Sequence, residues 1–436
     1  MAGLGWFSIV RLGLVQASIG AIVMLATSLL NRVMVVEYAL PAAIPAGLVA
    51  WHYAVQLSRP IWGYGSDRGN LRTPWIIGGM GVLALGAVIA INATVLMAGS
   101  PILGGILAVL AFTMIGAGVG AAGTSLLALL ASGVAPHRRA AAAAVTWIMM
   151  VAGIVVAAGT AGALLDPFSE QRLAIVGSGV ALAAFLLPLA ALAGLEKAMA
   201  PQPAATPSES EESASFGDAL REILQDFEAR RFTIFVFVSM LAYSMQDLIL
   251  EPFAGLVFAM TPGESTQLSG MQHAGVLLGM ITVGLGGSAF AGRRPKDLRR
   301  WIVGGCLGSG AALVGLAIAA VTGGDWPLRA NVFILGFANG VFAVAAIGAM
   351  MGLAGAGTRA KEGVRMGVWG ASQAIAFGLG GLTGAIGVDL ARSAIGEDGS
   401  AFQLIFAIEA GLFVVAAMLA IQATAARKVP LGVAKI

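Results

Sequence analysis

Long runs of apolar residues, separated by short polar segments, set the pattern of this chain. A helix needs about 20 apolar residues to cross a bilayer, and twelve runs of suitable length follow one another. They lie near residues 11–36, 42–64, 73–97, 103–133, 139–165, 171–196, 231–260, 266–292, 298–322, 328–356, 364–391 and 400–426. Because an α-helix satisfies its own backbone hydrogen bonds in lipid, each run is predicted to be a transmembrane helix. The expected fold class is an all-α polytopic membrane protein.

One polar segment, residues 197–230, interrupts this pattern in the middle of the chain. Its first part, 201–215, is acidic and rich in proline, which is typical of a disordered linker. Its second part, 216–231, has apolar residues on one helical face and is expected to lie on the membrane surface, with partner docking as the alternative. The segment separates an N-terminal six-helix half, 1–196, from a C-terminal six-helix half, 231–436.

Composition agrees with a membrane protein and excludes several other classes. Hydrophobic residues make up 58% of the chain and charged residues 11%, whereas soluble domains average about 25% charged residues. The formal net charge of +3 gives no reason to expect nucleic-acid binding. The single cysteine, Cys306, excludes an internal disulfide and a cysteine metal cluster.

The basic residues are distributed asymmetrically between the two sets of loops. If both termini lie on one side, that side receives nearly all of the 25 lysines and arginines. The other side keeps only Arg32, Arg172, Arg329 and Arg392. Because cytoplasmic loops of membrane proteins are rich in Lys and Arg, both termini are predicted to be cytoplasmic.

Two of the apolar runs contain charged residues at related positions. The first run carries Asn31, Arg32 and Glu37, and the seventh carries Gln246, Asp247 and Glu251. A charge at bilayer depth costs at least about 2.5 kcal/mol, so these groups need partners or a cavity. Equivalent polar breaks in two repeated halves are typical of a binding region at their interface.

Two interpretations of this intramembrane charge site follow from the residues. In the first, Arg32 pairs with Asp247, Glu251 or both, as a structural clamp without a ligand. In the second, the same groups contact a ligand or carry protons. Glu409, alone in the last apolar run, is a further candidate for a protonatable group.

A loop motif follows the second run. Gly63, Asp67, Arg68 and Arg72 fit the pattern Gly-x-x-x-Asp-Arg-x-x-x-Arg. This pattern resembles the loop motif of the major facilitator superfamily, at the same place between helices 2 and 3. The resemblance implies the twelve-helix fold of that superfamily and a latch between its two halves. A tight basic turn on the cytoplasmic side is the simpler alternative.

The chain as a whole resembles the PucC family, an offshoot of that superfamily found in phototrophs. The resemblance is carried by 29–34 with Glu37, by 58–60, by 72–75, by 246–253 and by 261–266. It implies a role in bacteriochlorophyll supply and in the assembly of light-harvesting complexes. The compact loop at 67–72 is most similar to the branch labelled bacteriochlorophyll synthase chains.

The resemblance implies a membrane assembly factor that binds or delivers bacteriochlorophyll or a precursor. The expected partners are this pigment, light-harvesting antenna subunits, pigment-biosynthesis enzymes and the bilayer of the inner or intracytoplasmic photosynthetic membrane. No cofactor is required, although bacteriochlorophyll itself is a candidate bound group. The alternative is a proton-coupled secondary transporter of a tetrapyrrole or another small molecule. Enzyme activity is not expected, because Asp-rich diphosphate motifs and a Walker A sequence are absent from the sequence.

Histidine is the expected protein ligand for the magnesium of such a pigment. Of the three histidines, His137 lies in a basic loop, whereas His52 and His273 lie in predicted helices. His273 has small neighbours that leave room for a macrocycle and is the first candidate ligand; His52 is the second. Hydrogen bonding between helices is the alternative role for both.

Overall fold

The computed structural model describes residues 4–59, 61–62, 66, 71–135, 138–196, 227–286, 295–355 and 362–423. Within these ranges the regular structure is entirely helical, and twelve long helices follow the predicted order. They are α1 Trp6–Glu37, α2 Ala43–Gln56, α3 Thr73–Gly99, α4 Pro101–Gly133, α5 Arg139–Leu165, α6 Glu170–Leu192, α7 Phe227–Phe258, α8 Pro262–Gly286, α9 Pro295–Thr322, α10 Leu328–Gly355, α11 Glu362–Ile395 and α12 Asp398–Ala423. The predicted all-α, twelve-helix fold class is confirmed.

Ten of these helices are long and apolar enough to cross a membrane by length and composition within the described ranges. The two others are α2, whose regular part has only 14 residues, and α8. The polar side chains of α8 lower its hydropathy, and several of them line the cavity described below. Helix α1 begins at Trp6, earlier than predicted, and the regular part of α2 ends at Gln56, earlier than predicted.

Helix α1 changes its winding twice along its length. Two π-helical turns, Leu25–Leu29 and Val33–Glu37, enclose a short α-helical segment, Leu30–Arg32. Such π-turns occur most often at functional sites, because the extra residue turns neighbouring side chains toward new partners. The helix stops just beyond, where Ala39 has a φ of 51°. The unusual winding therefore falls on the predicted charge site.

Close packing in the C-terminal half depends on glycine. Helix α10 presents Gly336 and Gly340 to the backbone of α8. A Cβ atom on Gly336 would lie 1.9 Å from the carbonyl oxygen of Gln272, and one on Gly340 would lie 2.1 Å from that of Val276. Small residues allow such backbone contact between membrane helices, where dispersion contacts replace the hydrophobic effect.

Polar contacts join the two halves at one end of the bundle, which we call the α1–α2 end after the turn that it carries. There Asp389 of α11 accepts hydrogen bonds from the backbone nitrogens of Ala42 and Ala43, at 3.0 and 2.8 Å. A carboxylate in this position caps the N-terminus of α2 and interacts favourably with the positive end of the helix dipole. Gly263 of α8 packs against Asp166 and Gly162 at the same end. These contacts hold α2 to α11 and α5 to α8 at this end.

The opposite end carries the predicted loop motif. Gly63, Asp67 and Arg68 lie outside the described residues. Arg72 is described, and its guanidinium donates to the carbonyl oxygen of Ala128 at 2.7 Å. Glu196 accepts from the backbone nitrogens of Arg72 and Thr73, which caps α3. These bonds lie within the N-terminal half, and the latch between halves stays a prediction.

Other sequence predictions also fall outside the described ranges. These are the disordered stretch at 201–215, most of the amphipathic stretch at 216–231, and His137. Only the last residues of the amphipathic stretch are described, where α7 already begins at Phe227. Two clusters of buried apolar side chains form the core, one built mainly from α1 to α6 and the other mainly from α7 to α12.

Candidate functional site

The polar segments of α1 and α7 meet at the centre of the bundle. Asn31, which is fully buried, donates from Nδ2 to the carbonyl oxygen of Leu248 at 2.7 Å. Ser28 of α1 faces Ser269 of α8, with the two hydroxyl oxygens 3.4 Å apart. The structure therefore brings together the two polar breaks that the sequence placed in corresponding positions of the two halves.

Arg32 has a different partner from the predicted one. Its guanidinium forms an ion pair with Glu37 of the same helix, and it also donates to the carbonyl oxygen of Met260 at 2.6 Å. Neither Asp247 nor Glu251 lies within ion-pair distance of it. The π-turn at Val33–Glu37 explains the difference, because π-winding brings residues five apart onto one face.

Asp247 and Glu251 instead line a small internal cavity of about 50 Å³. Glu251 is buried, and its Oε2 accepts from the Thr266 hydroxyl at 3.4 Å, whereas its Oε1 has no partner. One oxygen of Asp247 also lacks a partner. The space is polar and large enough for a few waters, but a drug-sized ligand needs about 300–1,000 Å³.

His273 lies at the wall of this cavity. Its Nδ1 is 2.9 Å from the carbonyl oxygen of Ser269, and a carbonyl only accepts hydrogen bonds, so Nδ1 carries the proton. In the neutral ring the lone pair of Nε2 is then free, as in histidines that bind metals. His273 thus has the chemistry of a ligand but not, in this conformation, the space for a macrocycle.

His52 is placed differently from His273. It is buried and does not line the cavity, which is reached instead by the neighbouring Tyr53. Its Nε2 accepts from the amide of Gln56 at 2.8 Å, and Gln56 accepts in turn from Arg59 at 2.5 Å. These bonds use the nitrogen that would otherwise bind a metal. Because all three side chains belong to the stretch 52–59, these bonds are local, and hydrogen bonding of His52 between helices stays a prediction.

Gln246 and Glu409 form a second polar group beside the cavity. Both side chains are fully buried, and the polar side-chain atoms of both have no hydrogen-bond partner. Glu409 of α12 lies near the α7 backbone at Gln246 and within electrostatic range of Asp247. Three carboxyl groups therefore lie near the middle of α7: Asp247 and Glu251 belong to α7 itself, and Glu409 belongs to the neighbouring α12.

Several cavity residues were missed by the sequence prediction. They are hydroxyl, amide and aromatic side chains: Thr27, Ser28, Tyr53, Ser244, Ser269, Gln272 and Phe377. A signal was present in α8, where Ser265, Ser269, Gln272 and His273 follow helical spacing and share one face. This polar stripe identifies the side of α8 that faces the carboxylates.

Comparison with solved structures defines the fold class. The nucleoside transporter NupG matches with a TM-score of 0.65 at 15% sequence identity, covering 95% of this chain and 98% of that one. The E. coli fucose:proton symporter FucP matches with a TM-score of 0.59 at 14% identity, covering 95% and 97%. The chain is a multi-pass membrane protein with the fold of major facilitator superfamily transporters.

Comparison with known sequences defines the family. The family model described as PUCC protein matches residues 29–428, and the chain belongs to the PucC family. It is 53% identical to "Bacteriochlorophyll synthase 44.5 kDa chain" of Rhodobacter capsulatus over 97% of both chains. It is 30% identical to "Protein PucC" of Cereibacter sphaeroides over 92% of this chain and 89% of the relative. The family resemblance found in the sequence is confirmed.

Proposed function

We propose that this protein binds bacteriochlorophyll or a precursor and delivers it during the assembly of light-harvesting complexes. The observation that carries the proposal is the 53% identity, over nearly the full length of both chains, to a relative named for bacteriochlorophyll synthesis. That name describes a chain of an enzyme. However, the solved structures that share the fold of this protein are transporters. We therefore favour a non-enzymatic role beside the synthesis enzymes.

The geometry of the centre supports handling of the pigment without transport through the bundle. The central cavity of about 50 Å³ is far too small for a tetrapyrrole, and hydrogen bonds join the two halves at the α1–α2 end. A pigment with a long apolar tail dissolves in the bilayer and does not need a path across it. The proposed partners are antenna subunits and pigment-biosynthesis enzymes in the same photosynthetic membrane.

Purification from a phototrophic host in mild detergent tests the proposal. We expect an absorption spectrum with bacteriochlorophyll bands at about one pigment per protein, and antenna or synthesis subunits in the same fraction. The matched control is a preparation of an unrelated twelve-helix transporter from the same host, which corrects for pigment carried by detergent. A colourless protein without these partners contradicts the proposal.

A proton-coupled transporter is the second candidate function. The specific observation is that Asp247 and Glu251 line the cavity, and that no cationic side chain among the described residues lies within ion-pair distance of either. Carboxyl groups inside a membrane bundle are typical of the proton relays of pumps and transporters.

Liposome uptake driven by a proton gradient tests this second candidate. For a transporter, Glu251→Gln should abolish gradient-driven uptake while exchange of substrate across the membrane continues, because the glutamine cannot release a proton. Glu264→Gln is the matched control, since Glu264 lies at the start of α8, where it accepts from the backbone of Thr261. Equal uptake by wild type with and without the gradient contradicts the proton-coupled function.

A further inference from the structure

A second, much larger concave site lies on the outer surface of the N-terminal half. It is a groove of about 640 Å³ formed by α6, by Leu164 at the end of α5 and by the turn that joins them. We call it the α6 groove. Its volume falls in the range of about 300–1,000 Å³ that is typical of ligand sites, whereas the central cavity is an order of magnitude smaller.

The floor of the α6 groove is one face of a single helix. Arg172, Ile175, Val176, Gly179, Val180 and Ala183 recur at helical spacing along α6. Ile175 is 64% exposed, and a Cβ atom on Gly179 would meet nothing within 4 Å. The opposite face of α6 is packed, where Gly177 contacts Ile91 of α3. The groove therefore faces lipid, and a ligand dissolved in the bilayer reaches it directly.

One end of the α6 groove is polar and cationic. Ser169 caps the helix by accepting from the Arg172 backbone nitrogen at 3.1 Å, and the Arg172 guanidinium donates to the carbonyl oxygen of Pro167 at 2.9 Å. No carboxylate in the described part of the chain lies within ion-pair distance of Arg172. A guanidinium has five N–H donors, so most of them are available to a ligand.

Glu170, two residues before Arg172 in the sequence, has another hydrogen-bond partner. Glu170 accepts from the hydroxyl of Tyr38 at 3.3 Å. Burial, with a further contribution from Glu170, raises the pKa of Tyr38 to about 12, so the phenol keeps its proton and remains a donor. Arg172 therefore has no ion-pair partner in the described part of the chain and presents unused N–H donors at the polar end of the α6 groove.

We propose that the α6 groove is where the protein holds its tetrapyrrole, with the macrocycle over Gly179 and Val180 and a ring carbonyl or carboxylate bonded to Arg172. This rests on the proposed function and adds the location of the pigment. Three features support this occupant: the volume, the cation at one end, and the open space above Gly179, where a Cβ atom would meet nothing within 4 Å. Binding here requires no separation of the two halves.

Filling the groove with a side chain tests the proposal. Gly179→Leu places a bulky group where the structure has open space, so folding should be retained while the macrocycle is excluded. Gly105→Leu is the matched control, because Gly105 of α4 also has nothing within 4 Å and lies beside the lipid-exposed Ile106. If Gly179→Leu does not fold, Gly179→Ala provides a second test, because it adds only one methyl group to the groove.

Binding is measured on purified protein in detergent, titrated with bacteriochlorophyll a and followed by pigment fluorescence and absorption. We expect wild type and Gly105→Leu to bind alike, and Gly179→Leu to bind at least about tenfold more weakly. Arg172→Gln should also weaken binding by about tenfold, through loss of a charge-assisted hydrogen bond. Binding by His273→Ala should match wild type.

Three outcomes would overturn the proposal. If wild type binds pigment and Gly179→Leu binds it equally well, the groove is not the site, although the proposed function stands. If His273→Ala loses pigment and Gly179→Leu keeps it, the site is central. If wild type binds no pigment and its co-purified amphiphile is phospholipid alone, the groove is a lipid site and the proposed function fails with it.

Discussion

Arg32→Ala should sharply reduce the amount of folded protein in the membrane. The Arg32 side chain is only 2% exposed, and its guanidinium joins Glu37 to the carbonyl oxygen of Met260 at the end of α7. Removing one partner of a buried ion pair costs about 3–5 kcal/mol. Glu37 is 31% exposed and keeps some contact with water, so we expect the lower end, about 3 kcal/mol. Total stabilities are only about 5–15 kcal/mol.

The measurement is the yield of monodisperse protein and its melting temperature in detergent. Arg392→Ala is the matched control, because its ion pair with Asp398 has side chains that are 33% and 37% exposed. Pairs of that kind contribute about 0–1 kcal/mol. The double variant Arg32→Ala with Glu37→Ala should lose less than the sum of the single losses. Strictly additive losses would show that the two side chains do not act as a pair.

Gly336→Ala should destabilise the C-terminal half, although alanine is the better helix former. The new Cβ atom would lie 1.9 Å from the carbonyl oxygen of Gln272, a backbone atom that cannot rotate away. Helices α8 and α10 must therefore move apart. Overpacking of this kind costs about 1–3 kcal/mol and occasionally more, and backbone-to-backbone contact favours the upper part of that range.

The matched control for this variant is Gly304→Ala in α9, where a Cβ atom would meet nothing within 4 Å. There the change should stabilise the protein by up to about 1 kcal/mol, through helix propensity alone. The two variants therefore shift the melting temperature in opposite directions. A rise in melting temperature for Gly336→Ala would contradict the close approach of α8 and α10.

The fold was predictable from the sequence because run length and the number of apolar residues decide which segments cross a bilayer. The meeting of α1 and α7 was predictable for a related reason: residues 31–37 and 246–251 break two apolar runs at corresponding places. The pairing of Arg32 was not predictable, because it depends on a π-turn and ordinary helical spacing places Glu37 on another face.

The α6 groove could not be predicted from the sequence either. Both faces of α6 are apolar, and nothing in residues 170–192 tells which face a neighbouring helix covers. That choice depends on the packing of Gly177 against Ile91, a contact between distant parts of the chain. In contrast, the polar stripe of α8 was visible in the sequence, and its meaning became clear only once α7 lay opposite.

The cap that Asp389 places on α2 makes separation of the two halves at the α1–α2 end a cooperative step. Any separation of the halves at the α1–α2 end strips a carboxylate of two N–H donors and leaves both donors of α2 without an acceptor at once. Both hydrogen bonds break in a single step, because both are accepted by the Asp389 side chain. A route from the α1–α2 end to the carboxylates in the middle of α7 therefore requires both bonds to break together.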